Sequence, residues 1–158
     1  MKIAFLIRKL DRGGAEKQLM YLAKGLIDSG HNVQIFVFYG SGSLEGKYKE
    51  LGIPFCSLDK SGRWDLLFFA ARWLLAVTRF RPRIVYSFLT EANLVALLAK
   101  FVRPSVDIIW GVRAAGNDSL LRPNDIFVSL GFSAARILSK VPTYIVTNSY
   151  AGAESIEM

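Results

Sequence analysis

The sequence has one cysteine, Cys56, and one histidine, His31, among its 158 residues. A single cysteine excludes an intramolecular disulfide and favours a reducing compartment, so we expect a cytoplasmic protein. His31 lies between a predicted helix and a predicted strand, where a structural turn is a more ordinary role than catalysis. We predict no metal site and no cofactor.

Long apolar runs are also missing. The most membrane-like segment, residues 66–80, is interrupted by Arg72 and Arg79 and is shorter than the roughly 20 residues that a spanning helix needs. No charged and apolar leader precedes the first strand, so we predict neither a signal peptide nor a transmembrane helix. Acidic residues number 13 against 20 basic ones, and the net charge of +7 favours partners that carry phosphate or another anion.

Short β-branched or aromatic runs alternate with longer helical patterns along the chain. This alternation predicts one doubly wound, Rossmann-like α/β domain, with a parallel sheet and helices on both faces. Several strands are apolar on both faces, as a sheet covered by helices on both sides requires. The predicted strands are 2–8, 32–38, 53–58, 83–88, 107–112 and 143–147. The predicted helices are 15–29, 44–51, 66–79, 92–102 and 125–140.

A glycine pair, Gly13-Gly14, separates the first strand from the first helix. Ligands of doubly wound sheets collect at the carboxyl ends of the strands, where a glycine turn lets backbone N–H groups approach a phosphate or a sugar. Alone, the pair is equally compatible with a simple tight turn. Glu16 follows in the first helical turn and is a further candidate binding residue, although a carboxylate there also complements the helix dipole.

The string Gly13-Gly14-Ala15-Glu16 has neighbours that strengthen its interpretation. Gly30-His31 precedes the second strand, Leu51-Gly52-Ile53-Pro54 the third, and Thr147-Asn148-Ser149 ends the sixth. Together these pieces resemble the N-terminal domain of retaining GT-B glycosyltransferases of the family-four group. The resemblance implies half of a GT-B fold, in a two-domain enzyme that moves a sugar from a nucleotide-sugar donor to an acceptor.

In that family the glycine turn lines the cleft beside the donor phosphates, and this role carries over to Gly13 and Gly14. The N-terminal domain binds the sugar or lipid-linked acceptor, and a second domain holds most of the nucleotide-sugar pocket. This chain ends at Met158 without such a domain. We therefore expect residues 1–158 to be the acceptor-side half and to be inactive alone. Synthesis of a cell-surface polysaccharide or a glycolipid is the expected role.

Other polar residues are predicted at the same edge of the sheet. Arg113 follows the fifth strand and could bind an acceptor phosphate or the donor, or form an ordinary salt bridge. Glu91 and Asn93 follow the fourth strand, face the predicted cleft and could bind sugar hydroxyls, although Asn93 could also serve the start of a helix. Asn148, at the end of the sixth strand, is the last candidate. The same rim is predicted to carry further basic residues: Arg8, Lys9, Arg12, Arg63 and Arg122.

The helix predicted at 66–79 has one polar stripe, formed by Asp65, Arg72 and Arg79, and is apolar elsewhere. Burial against the sheet is the commoner explanation, and contact of Phe69 and Trp73 with an anionic membrane is the alternative. The latter would place the protein peripherally on the cytoplasmic membrane face.

Two other classes of function remain to be weighed. A dinucleotide-binding oxidoreductase would need a GxGxxG turn, which is missing. A ligand-binding or nucleic-acid-binding module without catalysis is the alternative, but no nucleic-acid motif is present and we expect no nucleic-acid partner.

Overall fold

A computed structural model describes residues 1–40, 42–62, 65–112, 133–135 and 137–147 of the chain. The strands of the described part are β1 (Lys2–Ile7), β2 (Asn32–Val37), β3 (Phe55–Ser57), β4 (Ile84–Phe88), β5 (Asp107–Val112) and β6 (Tyr144–Thr147). The helices of residues 1–112 are α1 (Gly14–Asp28), α2 (Glu45–Glu50), α3 (Leu66–Phe80), α4 (Thr90–Leu97) and α5 (Ala99–Val102).

All six strands form one parallel sheet with the order β3-β2-β1-β4-β5-β6. The chain first moves outward from β1 to β3, then crosses back through α3 and continues outward on the other side. The strand order therefore reverses between β1 and β4, which is the switch point of a doubly wound sheet. The predicted fold class is confirmed.

The two faces of the sheet carry separate apolar cores. On one face α1 and α2 pack over β1 and β2, with Leu19, Met20 and Tyr48 fully or almost fully buried. On the other face α3, α4 and α5 cover the sheet, where Trp73 and Trp110 are buried. Burial on both faces explains why β1 is apolar at every position from Ile3 to Ile7.

Most element boundaries lie within one residue of the sequence prediction, and three predicted elements differ by more. Strand β3 has only three residues, because Ile53 and Pro54 belong to the approach from α2. The helix predicted at 92–102 begins at Thr90 and is divided at Leu98, where an N–H bond to the Val95 carbonyl tightens the turn. Most of the helix predicted at 125–140 lies outside the described residues; residues 133–135 and 137 are helical.

A glycine follows the C-cap residue of α1 and of α2. Gly30, two residues after α1, has a φ of 81°, and Gly52, two residues after α2, has a φ of 66°. Both values lie in the left-handed region, which glycine adopts without a steric penalty. Each glycine thereby reverses the chain toward the next strand.

Candidate functional site

The switch point of the sheet lies between the carboxyl ends of β1 and β4. Residues 8–13 connect β1 to α1, and Leu89 alone connects β4 to α4. Ligands of open α/β sheets bind in the crevice that such diverging connections create. The candidate site is therefore built from these two connections and from the loops that contact them.

The glycine pair forms the start of α1. Gly13 is the N-cap with extended backbone, φ −149° and ψ 170°, and Gly14 is the first helical residue. Neither φ is left-handed, and a Cβ placed on Gly14 would meet no atom within 4 Å. Folding therefore does not require a glycine at Gly14, because neither the backbone conformation nor a neighbouring atom excludes a Cβ there. Removing side chains here leaves the first-turn N–H groups of α1 open to a ligand.

The carboxylate of Glu16 folds back over the turn. A Cβ on Gly13 would lie 2.1 Å from the Glu16 Oε2 atom, so the carboxylate occupies the space beside the N-cap. Burial raises the pKa of Glu16, and the carboxylate of Asp11 adds to the rise. The carbonyl oxygen of Glu16 accepts a hydrogen bond of 2.6 Å from the Tyr48 hydroxyl, which ties α2 to the start of α1. The structure thus brings Glu16 to the predicted site.

The loop after β2 supports the loop that carries the glycines. Leu44 N–H donates to the Leu10 carbonyl at 2.8 Å, and Ser43 N–H donates to Asp11 Oδ1 at 3.1 Å. The bond from Ser43 lowers the pKa of Asp11, whose carboxylate also lies 3.3 Å from Lys9 Nζ. A Cβ on Gly42 would lie 2.5 Å from the Leu10 oxygen, so only glycine fits. The sequence analysis did not predict this contact between the two loops. The only hint of it in the sequence is Gly42, which follows the second strand.

Leu89 makes the turn from β4 into α4 in an unusual conformation. Its φ is 76° and its ψ is 154°, a combination that is strained for any residue with a Cβ. The Leu89 N–H donates to the Gly111 carbonyl at 3.1 Å, and the Leu89 carbonyl accepts from Asn93 N–H at 2.9 Å. These bonds on both sides hold the strained turn at the switch point.

The two polar candidates on α4 have different surroundings. Glu91 is exposed, and its carboxylate lies 3.4 Å from Arg8 Nη1, so this pair bridges the two halves of the sheet. Asn93 is only 2% exposed, and its Oδ1 accepts a 2.7 Å hydrogen bond from the buried Ser87 hydroxyl. The expectation that Asn93 faces the cleft is therefore wrong, because its side chain is buried and its amide oxygen is hydrogen-bonded in the core. Sugar binding by Glu91 stays a prediction.

Arg8 and two residues that sequence reasoning overlooked converge at the carboxyl ends of β1, β2 and β3. Arg8 Cζ lies 5.8 Å from the ring centroid of Tyr39, and Lys60 Nζ lies 5.7 Å from the same centroid. The remaining candidates, Arg113 and Asn148, lie outside the described residues, as do Arg63 and Arg122. Their roles stay predictions.

Other features lie away from this site. His31 Nδ1 is 3.5 Å from the Met1 amino nitrogen, at the amino ends of the strands and therefore opposite the cleft. Within the described residues, no three His, Cys, Asp or Glu side chains are grouped in a way that could hold a metal ion. No helix of that part is long and apolar enough to cross a membrane.

Comparisons with solved structures show the same fold in larger proteins. HepE from Anabaena, solved in complex with UDP, is 18% identical, with a TM-score of 0.78 over 99% of this chain and 40% of its own. MurG from Acinetobacter baumannii is 14% identical, with a TM-score of 0.62 over 92% of this chain and 40% of its own. The lipopolysaccharide outer core galactosyltransferase WaaB, in its apo form, is 19% identical, with a TM-score of 0.56 over 70% of this chain and 32% of its own.

This chain thus spans about two fifths of the HepE and MurG chains. No curated protein sequence matches it. The model of the family described as Glycosyltransferase Family 4, however, matches residues 12–157, which include the glycine turn, α4 and the whole sheet apart from β1. With this match over nearly its entire length, the chain belongs to Glycosyltransferase Family 4.

Proposed function

We propose that this chain is the acceptor-side half of a glycosyltransferase that moves a hexosyl group from a nucleotide-sugar to an acceptor. The observation that carries the proposal is the glycine turn at the start of α1. It lies at the switch point, and glycine at Gly14 is required neither by φ nor by a neighbouring atom. A ligand that approaches the backbone supplies the missing reason for glycine.

The chemistry of sugar transfer fits such a surface. When the sugar leaves the nucleotide, negative charge develops on the pyrophosphate. Backbone N–H groups at a helix N-terminus, aided by the helix dipole, stabilise that charge. Glu91, exposed across the switch point from the turn, is positioned to accept hydrogen bonds from sugar hydroxyls.

The structural relatives support the donor class. HepE was solved with UDP and also with UDP and glucose, the latter with a TM-score of 0.75 and 20% identity. We propose a nucleotide-sugar donor for the present chain as well, bound mainly by a second domain that faces the glycine turn. WaaB, a lipopolysaccharide galactosyltransferase, favours a cell-surface glycan or glycolipid as the product.

A pair of glycine substitutions in α1 tests the proposal in the protein that includes both domains. Gly14→Ala should leave the free energy of unfolding unchanged or raise it by up to about 1 kcal/mol, because the added methyl meets no atom. Sugar transfer, measured as kcat/KM, should fall at least about tenfold, because the methyl would stand between the backbone and the donor phosphates.

Gly25→Ala is the matched control. Gly25 is an exposed glycine of the same helix with no atom within 4 Å of an added Cβ. This variant should gain stability as Gly14→Ala does, and its transfer rate should stay at the wild-type level. Equal kcat/KM values for Gly14→Ala and the wild type would remove the observation on which the proposal rests.

We further propose that the acceptor is reached at an anionic membrane surface on the cytoplasmic side. The predicted contact residues Phe69 and Trp73 do not serve this purpose, since both are buried against the sheet. The most exposed apolar side chains of α3 are instead Leu66, Leu67 and Phe68, with Leu67 86% and Phe68 75% exposed. They lie at the start of α3, which follows β3 and is therefore at the cleft edge of the sheet.

Membrane binding can be measured by sedimentation with vesicles that contain phosphatidylglycerol. The double substitution of Leu67 and Phe68 by serine should weaken binding at least about tenfold, because two exposed apolar side chains no longer enter the interface. Tyr21→Ser is the control, since Tyr21 is 68% exposed on α1, on the opposite face of the sheet. If the two variants bind vesicles equally, α3 is not the contact surface.

A further inference from the structure

Two cations share one tyrosine ring at the carboxyl ends of β1, β2 and β3, and the proposed function has no use for them so far. We call Arg8, Tyr39 and Lys60 the cation cluster. Both cations lie within 6 Å of the Tyr39 ring centroid, in the range of cation–π attraction. Lys60 Nζ also lies 5.9 Å from the ring of Phe69, which is buried beneath it.

The backbone fixes the positions of the cation cluster. Tyr39 N–H donates to the Arg8 carbonyl at 3.1 Å, and Lys60 N–H donates to the Phe38 carbonyl at 2.9 Å. These bonds extend the ladder of the sheet beyond the ends of the strands. Both cations are held against one tyrosine ring, so a single anion at this edge of the sheet is attracted by the two together.

The loop that carries Lys60 is held from below by Arg72. The guanidinium of Arg72 donates to the Leu58 carbonyl at 2.7 Å, to the Asp59 carbonyl and to Asp65 Oδ2 at 2.8 Å. Asp65 in turn accepts from Ser61 N–H at 3.1 Å. Lys60 is therefore presented on an ordered segment, so a ligand would bind without first ordering the loop.

The carboxylate of Glu91, which pairs with Arg8 of the cation cluster, is weakly held. Glu91 is 3.4 Å from Arg8, but the Arg8 and Glu91 side chains are 52% and 60% exposed. Exposed ion pairs of this kind contribute little and open readily. The Lys60 ammonium donates to the carbonyl of Gly62 and has two further protons to offer. An incoming anion can thus displace Glu91 from Arg8 and gain the attraction of Lys60 as well.

We propose, on the basis of the proposed function, that the cation cluster binds an anionic group of the acceptor substrate. A phosphate or carboxylate suits the fork of Arg8 and the point charge of Lys60. The cluster lies on the β1–β3 side of the switch point, whereas the donor phosphates are assigned to the glycine turn. The acceptor of this transferase is therefore a sugar phosphate, a lipid phosphate or a uronic acid and not a neutral sugar.

Direct binding measurements test this without turnover or a donor sugar. The probes are glucose 6-phosphate, glucuronate and dodecyl phosphate below its micellar concentration, with glucose as the neutral reference. Titration calorimetry should show that at least one anionic probe binds more tightly than glucose. Arg8→Gln and Lys60→Gln should each weaken that probe about tenfold or more, the usual loss when a charged hydrogen-bond donor is removed.

Two variants separate this role from loss of structure. Lys17→Gln removes an exposed cation of α1 outside the cluster and should leave the affinity unchanged. Glu91→Gln removes the competing negative charge but keeps an oxygen that can accept from sugar hydroxyls. It should therefore tighten the anionic probe several-fold while retaining the fold, which near-ultraviolet circular dichroism would report. A gain of affinity cannot arise from unfolding.

The probe that responds identifies the source of the anion. If Arg8→Gln and Lys60→Gln selectively lose binding of glucose 6-phosphate, the acceptor is a soluble phosphorylated compound. Selective loss of dodecyl phosphate binding indicates a lipid-linked acceptor, and selective loss of glucuronate binding indicates an acidic sugar. The proposal is overturned if no anionic probe binds better than glucose, if Arg8→Gln and Lys60→Gln bind like wild type, or if both weaken UDP as much as the probe. Failure of sugar transfer would leave these binding results standing, so the two proposals fail separately.

Discussion

Leu89 occupies a backbone conformation that its side chain disfavours. The residue has a φ of 76° and a ψ of 154°, and it is the entire connection between β4 and α4. Strain of this kind persists where the surrounding structure fixes the backbone, and it collects at functional sites. Here hydrogen bonds to Gly111 and from Asn93 fix it. The strain keeps the start of α4, with Glu91, directed at the switch point.

The strain predicts an inverted order of stability for two substitutions. Leu89→Gly should unfold with a free energy about 1 kcal/mol higher than that of Leu89→Ala, because only alanine retains the Cβ that the conformation penalises. At an ordinary helical position glycine is instead less stable than alanine by about 0.5–1 kcal/mol. Urea denaturation of both variants measures the difference.

Leu75, which is exposed on α3, provides the reference pair. Leu75→Gly should be less stable than Leu75→Ala by the ordinary amount. If the two positions show the same order, the Leu89 backbone carries no strain.

The sequence could predict where single candidate residues lie along the chain, but not which way their side chains point. Glu91 and Asn93 both follow β4, and the pattern places both at the cleft. They are two residues apart on α4, however, so their side chains leave the helix about 200° apart. One is therefore exposed at the edge of the predicted cleft and the other is buried, and only the start of the helix at Thr90 decides which. Tyr39 and Lys60 could not be predicted either, because they meet Arg8 only through the order of the strands β3, β2 and β1 in the sheet.

At the scale of elements, α3 shows that the sequence can predict an apolar helix without predicting which of its sides is buried. The sequence predicts its existence and its length nearly to the residue, because no proline or glycine interrupts residues 66–79. Its buried side is formed by Phe69, Trp73 and Val77, spaced by four residues. Since Leu66, Leu67 and Phe68 are equally apolar, hydropathy alone could not tell the buried side from the exposed one.

The β2–α2 loop fixes the position of the loop that carries the glycine turn. Gly42 packs against Leu10 so closely that a Cβ would lie 2.5 Å from the carbonyl oxygen and 2.7 Å from the carbonyl carbon. Backbone atoms cannot rotate away as a side chain can. Any larger residue at this position must therefore push apart the loops after β1 and β2, including the bond between Ser43 and Asp11.

We expect Gly42→Ala to lower the free energy of unfolding by about 1–3 kcal/mol, the usual cost of overpacking. Sugar transfer by the two-domain protein should fall further than the loss of folded protein explains, because the glycine turn is displaced. Gly46→Ala, in α2 and with no atom near an added Cβ, is the matched control. A Gly42→Ala variant as stable and active as Gly46→Ala would show that the loops are not coupled.

At the scale of the whole molecule, the fold could be predicted because its signals are repeated. Six apolar runs separated by helices indicate a parallel sheet, and buried β1 and β2 indicate helices on both faces. The strand order places the loops after β1 and β4 side by side, and Arg8 then meets Glu91 across a separation of 83 residues. No local pattern contains that contact, since α3 and β3 lie between the two residues in sequence.

In the proposed function, the site of this chain forms one wall of a cleft. The glycine turn, Glu91 and the cation cluster all lie at one edge of the sheet, so they would contact only one side of a bound ligand. In the proposed reaction the leaving pyrophosphate must be held from both sides, and water must be excluded from the transferred sugar. Neither requirement is met by a surface that is open to solvent.

We therefore expect residues 1–158 alone to transfer no sugar above the background of nucleotide-sugar hydrolysis. Incubation with radiolabelled UDP-hexoses and membrane glycolipid extracts, followed by chromatography, measures this. The protein that includes the proposed second domain should transfer sugar under the same conditions, and its Gly14→Ala variant should lose most of that activity. Mixing separately expressed halves is a further arm, in which any restored transfer should depend on Gly14. Turnover by residues 1–158 alone would contradict the two-wall mechanism, because one wall would then suffice to stabilise the leaving group.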